Sequence, residues 1–313
     1  MREIADAGFH AGELAVQRTA GVARDAARLS SMLEPVALTG GIAGFLSART
    51  FLVVTGRDAG GRLWTSPLVG PPGFLEVLSD TAVAVQAAIP AGDPLHGLVA
   101  GQKIGMTAVE FATRRRVRIN GTLTVSGGDL LLVEVEQAYG NCPKYIQQRT
   151  LVPGRPHRDG GDPVRLGSTL DPEDRELIRA ADTFFLGTAN PERGADASHR
   201  GGPPGMVRVD ERGLWWPDYP GNNLFNSFGN LAVSPETALL FFDFGTGRTL
   251  HLSGTTEIEW GEPGRSGDDG HTGRIARFTL QRVVAGRLLP ARETTHNPYP
   301  RNPTLTDRQG HVR

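Results

Sequence analysis

Three short runs carry most of the residues able to do chemistry. Ser198-His199-Arg200 is followed by Arg208 and then by the pair Asn222-Asn223. An arginine projecting from a strand toward a helix start, where neutral asparagines cap the free N–H groups, makes a phosphate site. The positive end of the helix attracts the anion, and the guanidinium adds a bidentate donor. Trp215, Trp216, Tyr219, Phe225 and Phe228 crowd the same segment and offer flat apolar walls to a planar ligand. The third run, Asn141-Cys142-Pro143-Lys144, holds the single cysteine and one of the two lysines, Lys103 being the other. A helix is expected near Pro143, with Asn141 or Cys142 as its cap. No His or Asp stands in an arrangement that would activate the thiol, so Cys142 reads as a small apolar residue rather than a nucleophile. Ordinary uses stay open beside these: strand arginines are commonly solvated, asparagines commonly cap, and aromatics commonly fill cores.

Self-similarity gives these residues their weight. SPLVGPPGFLEV begins at residue 66 and SHRGGPPGMVRV at residue 198, with the Gly-Pro-Pro-Gly block shared. FATRRRVRINGT from residue 111 matches FGTGRTLHLSGT from residue 244, and AGDPL from residue 91 lies over PGNNL from residue 220. One register linking three blocks in order reads as a duplication, with a period suited to two domains. The copies then differ where it matters. Glu76 stands over Arg208, Asp93 and Pro94 over Asn222 and Asn223, and Pro67 and Leu68 over His199 and Arg200. The first copy therefore places carboxylates where the second places a cation and neutral amides, so the anion site is expected in the second copy alone.

Composition excludes several classes. Lys plus Arg is 33 against 34 acids in 313 residues, which gives no global support for nucleic-acid or membrane-surface binding. One cysteine excludes an internal disulfide framework or a multi-cysteine metal cluster, and the eight histidines show no metal-ligand spacing. Dinucleotide, Walker, H-E-x-x-H, C-x-x-C and G-x-S-x-G motifs are absent. No apolar run is long enough to span a bilayer and the first residues carry acids, so a soluble cytoplasmic protein is expected.

The elements that must position these groups are mainly strands. Residues 50–56, 74–79, 82–89, 104–112, 115–125 and 130–139 are short β-prone runs split by Gly, Pro or Asp, and the second copy gives six more. The fold class predicted is mainly β with a few helices, as two tandem six-stranded antiparallel barrels. The domains are 1–151 and 169–291, with 152–168 as linker and 292–313 as a coil tail. Helices are predicted over 12–33, after Asp171-Pro172, and after Asp93-Pro94 and Asn222-Asn223. Residues 261–273 read as a mobile hairpin tip.

The runs FHAGELAVQ, GPPGF, ATRRRVRINGTL, YGNCPKYIQ, SHRGGPPGMVRV, PDYPGNNLFNSFGNL and LHLSGT together resemble the pyridoxamine 5′-phosphate oxidase-like, FMN-binding split-barrel family, in its two-barrel bacterial form. The resemblance runs from about residue 9 to about residue 290. It implies a fused pair of split barrels, a pseudo-dimer with FMN in the groove between them. It further implies that Arg208, Asn222 and Asn223 hold the FMN phosphate, and that Ser198, His199 and Arg200 lie beside the isoalloxazine or phosphate. Asn141, Cys142 and Lys144 would reach across from the first barrel, with Lys144 or Arg200 stabilising charge near the flavin N1. Asn222-Asn223 stands where the oxidases carry a Ser-Arg-Lys-type run, a loss of two charges. The oxidases' C-terminal substrate Arg/His set is missing, so vitamin B6 oxidation is not expected. The reading is an FMN-dependent oxidoreductase of a small molecule, with a possible homodimer of the two-barrel chain. The alternatives are a non-catalytic flavin-binding or sensing module, or a haem- or deazaflavin-binding relative with His199 as the candidate iron ligand.

Overall fold

The computed structural model describes residues 8–33, 37–154 and 163–306. Its N-terminal segment forms helix α1 (Ala11–Thr19), helix α2 (Ala23–Ala27), a short 3-10 turn (Ser30–Leu33) and helix α3 (Gly40–Ser47). The single helix expected over 12–33 is therefore three pieces. Gly21, at φ +70°, takes the left-handed conformation that ends a helix, and the chain restarts beyond it.

The first unit is a seven-stranded antiparallel sheet made of β1 (Phe51–Arg57), β2 (Leu63–Val69), β3 (Leu75–Ser79), β4 (Ala82–Gln86), β5 (Lys103–Glu110), β6 (Arg115–Gly127) and β7 (Leu130–Gly140). Then come β8 (Gln148–Pro153), β9 (Arg165–Gly167) and helix α4 (Pro172–Ala180), capped by Asp171, which accepts the Asp174 N–H, and carrying Pro172 in its first turn. The second unit comprises β10 (Thr183–Asn190), β11 (Gly194–Gly201), β12 (Arg208–Asp210), β13 (Gly213–Pro217), helix α5 (Asn226–Val233), β14 (Glu236–Asp243), β15 (Arg248–Trp260) and β16 (Arg274–Gly286). The strand orders are β2-β1-β5-β6-β7-β4-β3 and β11-β10-β14-β15-β16-β13-β12, the same permutation twice. Two tandem split barrels are thus present, each with one strand more along that order than the six expected, and β9 pairs with β16 off it.

The extra strands, β2 and β11, sit at the ends of their sheets and against the other unit. β2 contains Pro67, which an edge strand tolerates because no ladder N–H is needed there. β11 reads GADASHRG, with little β propensity, and is a strand because it is buried between β10 and β5 of the first unit. Small residues permit that approach. A Cβ on Gly105 would lie 2.4 Å from the Asp196 Cα, and one on Gly187 would lie 2.2 Å from the Thr65 Oγ1. Each unit has its own apolar core, and a third cluster joins them, with Phe51 against Phe185 and Phe242 at ring separations of 5.9 Å.

Further expectations are corrected. The end of the linker and start of the tail are strands: β17 (Ala291–Asn297) pairs with β8, and β9 pairs with β16. Polar residues such as Gln148 and Thr150 hide that pairing from an apolar-pattern reading; residues 155–162 and 307–313 lie outside the described residues. The loop 261–273 is ordered around buried Asp268, whose carboxylate accepts the N–H groups of Gly264 and Gly273. Asp93-Pro94 opens turns rather than a helix, and residues after Pro143 likewise form no helix.

Candidate functional site

A cavity of about 130 Å³ lies where the two units meet. β11 brings Ser198, His199 and Arg200 to it, and β6 of the first unit brings Arg116 and Arg118, two positions apart on one strand face. The segment after β7 adds Asn141, Cys142 and Lys144; the turn after β13 adds Asn222 and Asn223; Arg274 enters from the start of β16. Eight of the nine residues singled out from the sequence therefore line one cavity. Arg208 does not. Its guanidinium donates to Asp269 (2.6 Å) and to the Thr306 carbonyl (3.1 Å), and lies over the Trp215 ring at 4.7 Å. The acid it pairs with sits in the distant loop 261–273, which no local sequence pattern reveals.

The asparagines also act differently from expectation. α5 begins at Asn226, after Asn223 and Phe225 in left-handed conformations, so Asn222-Asn223 does not cap it. Instead Asn222 accepts the Leu224 N–H (3.2 Å) and donates to the Asn141 Oδ1 across the units (3.1 Å). Lys144 and Tyr145 reach over in the same way, both donating to the Pro220 carbonyl, at 3.5 and 3.3 Å. Trp216, Tyr219, Phe225 and Phe228 form apolar wall, as their crowding implied, whereas Trp215 covers Arg208.

Electrostatics define what the cavity accepts. Arg118 pairs with buried Asp196 at 3.2 Å and donates to the Ser198 hydroxyl. Arg274 pairs with Asp218 at 2.8 Å, and Arg200 shares that carboxylate at 3.5 Å. Arg116 has no carboxylate within ion-pairing distance among the described residues; its Nη1 contacts the His199 Nδ1 at 2.9 Å. Five cationic side chains thus face two carboxylates. Burial and the charges of Arg118 and Arg200 push Arg116 down to about 9, still protonated at neutral pH. Burial raises Asp218 in spite of Arg200 and Arg274. Four nitrogens of lining residues, the His199 Nε2, Arg200 Nε, Asn141 Nδ2 and Trp216 Nε1, have no hydrogen-bond partner among the described residues. Unspent buried donors beside surplus positive charge fit a ligand rich in acceptor oxygens and nitrogens, and repel a metal cation.

Arg116, Arg118 and Arg274 escaped sequence reading. The signal was available for the first two: in the repeat register they stand over Thr249 and His251, the same kind of asymmetry that pointed to His199 and Arg200. The equivalent place in the other half is sealed. Asp93 accepts the Leu95 N–H (2.8 Å) as Asn222 accepts that of Leu224, so the two turns correspond. There Ser66 donates to Asp93 at 2.6 Å, and the His251 Nδ1–H donates to the Thr65 carbonyl at 2.9 Å, all of them buried.

Residues 170–267 match the family model of pyridoxamine 5′-phosphate oxidase, a span running from α4 into the loop after β15. The second unit is a pyridoxamine 5′-phosphate oxidase-like split barrel, as its motifs implied, and the first repeats its strand order. No curated protein matches the chain. Among solved structures, HupZ of Group A Streptococcus is 11% identical with a TM-score of 0.31, over 42% of this chain and 99% of that one. HutZ, the heme storage protein from Vibrio cholerae, is 15% identical (TM-score 0.29; 37% and 92%). A FAD-binding protein from Mesorhizobium loti is 13% identical (TM-score 0.27; 39% and 97%). Likenesses this distant carry no argument about ligand. Among the described residues no helix is long and apolar enough to cross a membrane.

Proposed function

We propose that the cavity between the two barrels binds a phosphorylated planar cofactor, FMN, and that the chain is an FMN-dependent oxidoreductase of a small molecule. The observation that carries this reading is the set of acceptor-less N–H donors and surplus arginines lining one cleft with aromatic walls. Arg116, Arg118, Arg200 and Lys144 are the groups able to neutralise a phosphate. Trp216, Phe225 and Phe228 supply apolar faces for a ring system. Bound FMN would supply hydride and electron transfer; the chain's own part is to bind, orient and shield it. A cation-rich surround makes His199 a poor iron ligand, which places the haem reading second.

Titrating the purified protein with FMN and following flavin fluorescence tests this directly. FMN should quench and bind, and riboflavin, which lacks the phosphate, should bind much more weakly. Arg118→Met should weaken FMN binding roughly 10- to 100-fold, the range for a charge-assisted bond lost from a buried site. Equal affinity for FMN and riboflavin, or an unaffected Arg118→Met variant, would refute the assignment.

A further inference from the structure

We infer that Arg116 fixes His199 as a neutral imidazole with its proton on Nε2, and that this N–H is a hydrogen-bond donor reserved for an acceptor atom of the ligand. The tautomer follows from geometry within the chain; the donor role rests on the cofactor reading above.

A guanidinium carries five N–H donors and no acceptor. With the Arg116 Nη1 2.9 Å from the His199 Nδ1, that ring nitrogen must present its lone pair. The one proton of a neutral ring then sits on Nε2. A second proton is opposed from every side. Burial and the charges of Arg116 on β6, Arg149 on β8 and Arg200 on β11 hold His199 well below its ordinary value; its own carbonyl, which favours protonation, is the weakest of these influences. Apolar rings pack beside it, Phe185 edge-on at 5.5 Å and Phe111 at 6.2 Å. The ring edge also needs Gly201. A Cβ there would lie 3.0 Å from the His199 Cε1 and 2.0 Å from the Tyr145 carbonyl.

The consequence is an unspent donor. His199 is 5% exposed and lines the cavity, yet Nε2 has no partner among the described residues. A buried polar group left so is unfavourable until an acceptor arrives. The arrangement selects chemistry. A carbonyl oxygen, phosphate oxygen or unprotonated ring nitrogen completes it. Iron at Nε2 would need the proton to move to Nδ1, where it would face the N–H of Arg116. Arg116 is thus a positioning residue, acting on the ligand through His199.

The test is long-range 1H–15N spectroscopy of the full chain labelled at histidine, with the His199 signals identified by their loss in His199→Gln. The pattern of a neutral Nε2–H ring should persist from about pH 5.5 to about pH 8.5, a range over which an ordinary histidine titrates. Arg116→Met should mix the tautomers and bring titration into that range, whereas Arg116→Lys, which keeps a donor, should preserve the wild-type pattern. A wild-type Nδ1–H ring, or one that titrates, overturns the tautomer assignment. FMN at saturation, established by quenching of its fluorescence, should shift the Nε2 and Hε2 resonances, and His199→Leu should lower FMN affinity about tenfold. FMN bound with Nε2 unmoved overturns the donor role and leaves the cofactor reading standing. No FMN binding at all overturns that reading and the donor role together, while the pH series still decides the tautomer.

Discussion

A carboxylate with no exposed surface depends on whichever cation reaches it. The Asp269 side chain is wholly buried and takes its charge-balancing bond from Arg208, itself 19% exposed. Removing that arginine leaves a buried charge unpaired, which is expected to cost about 3 to 5 kcal/mol. Arg208→Ala should therefore unfold at markedly lower denaturant, while the fraction still folded binds FMN with wild-type affinity, since Arg208 is not among the residues that line the cavity. Denaturant melts and the FMN titration on the same sample separate the two effects; a selective loss of FMN affinity would return Arg208 to the phosphate. The contrast with Arg118 shows where sequence reading ran out. Both are strand arginines with an acidic partner far along the chain. Only the fold decides that Asp196 leaves Arg118 at the cavity while Asp269 draws Arg208 away from it. His199, Arg200 and Lys144 were legible because the first copy lacks their counterparts or because their type is rare in this chain.

At the scale of elements, the cavity depends on how α1 lies on α5. Their contact is backbone to backbone: a Cβ on Gly12 would lie 2.2 Å from the Gly229 carbonyl, and one on Gly229 would lie 2.7 Å from the Glu13 N. This packs Glu13 into the crossing, where its carboxylate accepts the His10 N–H (2.9 Å) and the Asn226 side-chain N–H (3.3 Å). Asn226 in turn accepts from Arg118 at 3.2 Å, so the N-terminal helix is tied to the cavity. Burial, and to a lesser degree the charge of Asp196, pushes Glu13 up from 4.5 to about 7 against the pull of those hydrogen bonds. The native state thus binds its proton more tightly than the unfolded chain does. This contribution to stability is complete below pH 4.5 and is lost as pH rises through about 7. Wild-type stability relative to Glu13→Gln should fall by on the order of 3 kcal/mol between about pH 5 and about pH 8, at 1.36 kcal/mol per unit. Urea unfolding of both proteins across that range measures it, and parallel profiles would place Glu13 outside this role. Most strands of each core were legible as short β-prone runs split by Gly, Pro or Asp. β11 was not, because its side chains are small and polar and its burial comes from the other unit.

Across the whole molecule, one strand order occurs twice, and a symmetric pair of barrels would present two equivalent clefts. Chemistry has made them unequal. The open cleft has Arg116, Arg118, Ser198 and Asn222; its mate has Thr249, His251, Ser66 and Asp93, with Asp93 and His251 both buried. No cation stands among those four mate residues while His251 is neutral, and burial keeps it so, depressing its affinity for a proton in spite of Asp93. The Asp93 carboxyl, moreover, occupies the turn where Asn222 sits in the open cleft. An anion entering there would meet an acceptor where it needs donors. The charge asymmetry expected from the repeat therefore exists, carried by β6 and β11 against β15 and β2 rather than by Arg208 against Glu76. Calorimetric titration should accordingly give one FMN per chain, and Arg118→Met should weaken that single binding event roughly 10- to 100-fold rather than expose a second one. Two equivalents per chain, or a second binding event in Arg118→Met, would mean that the sealed cleft opens and that the difference between the halves is not what selects the ligand.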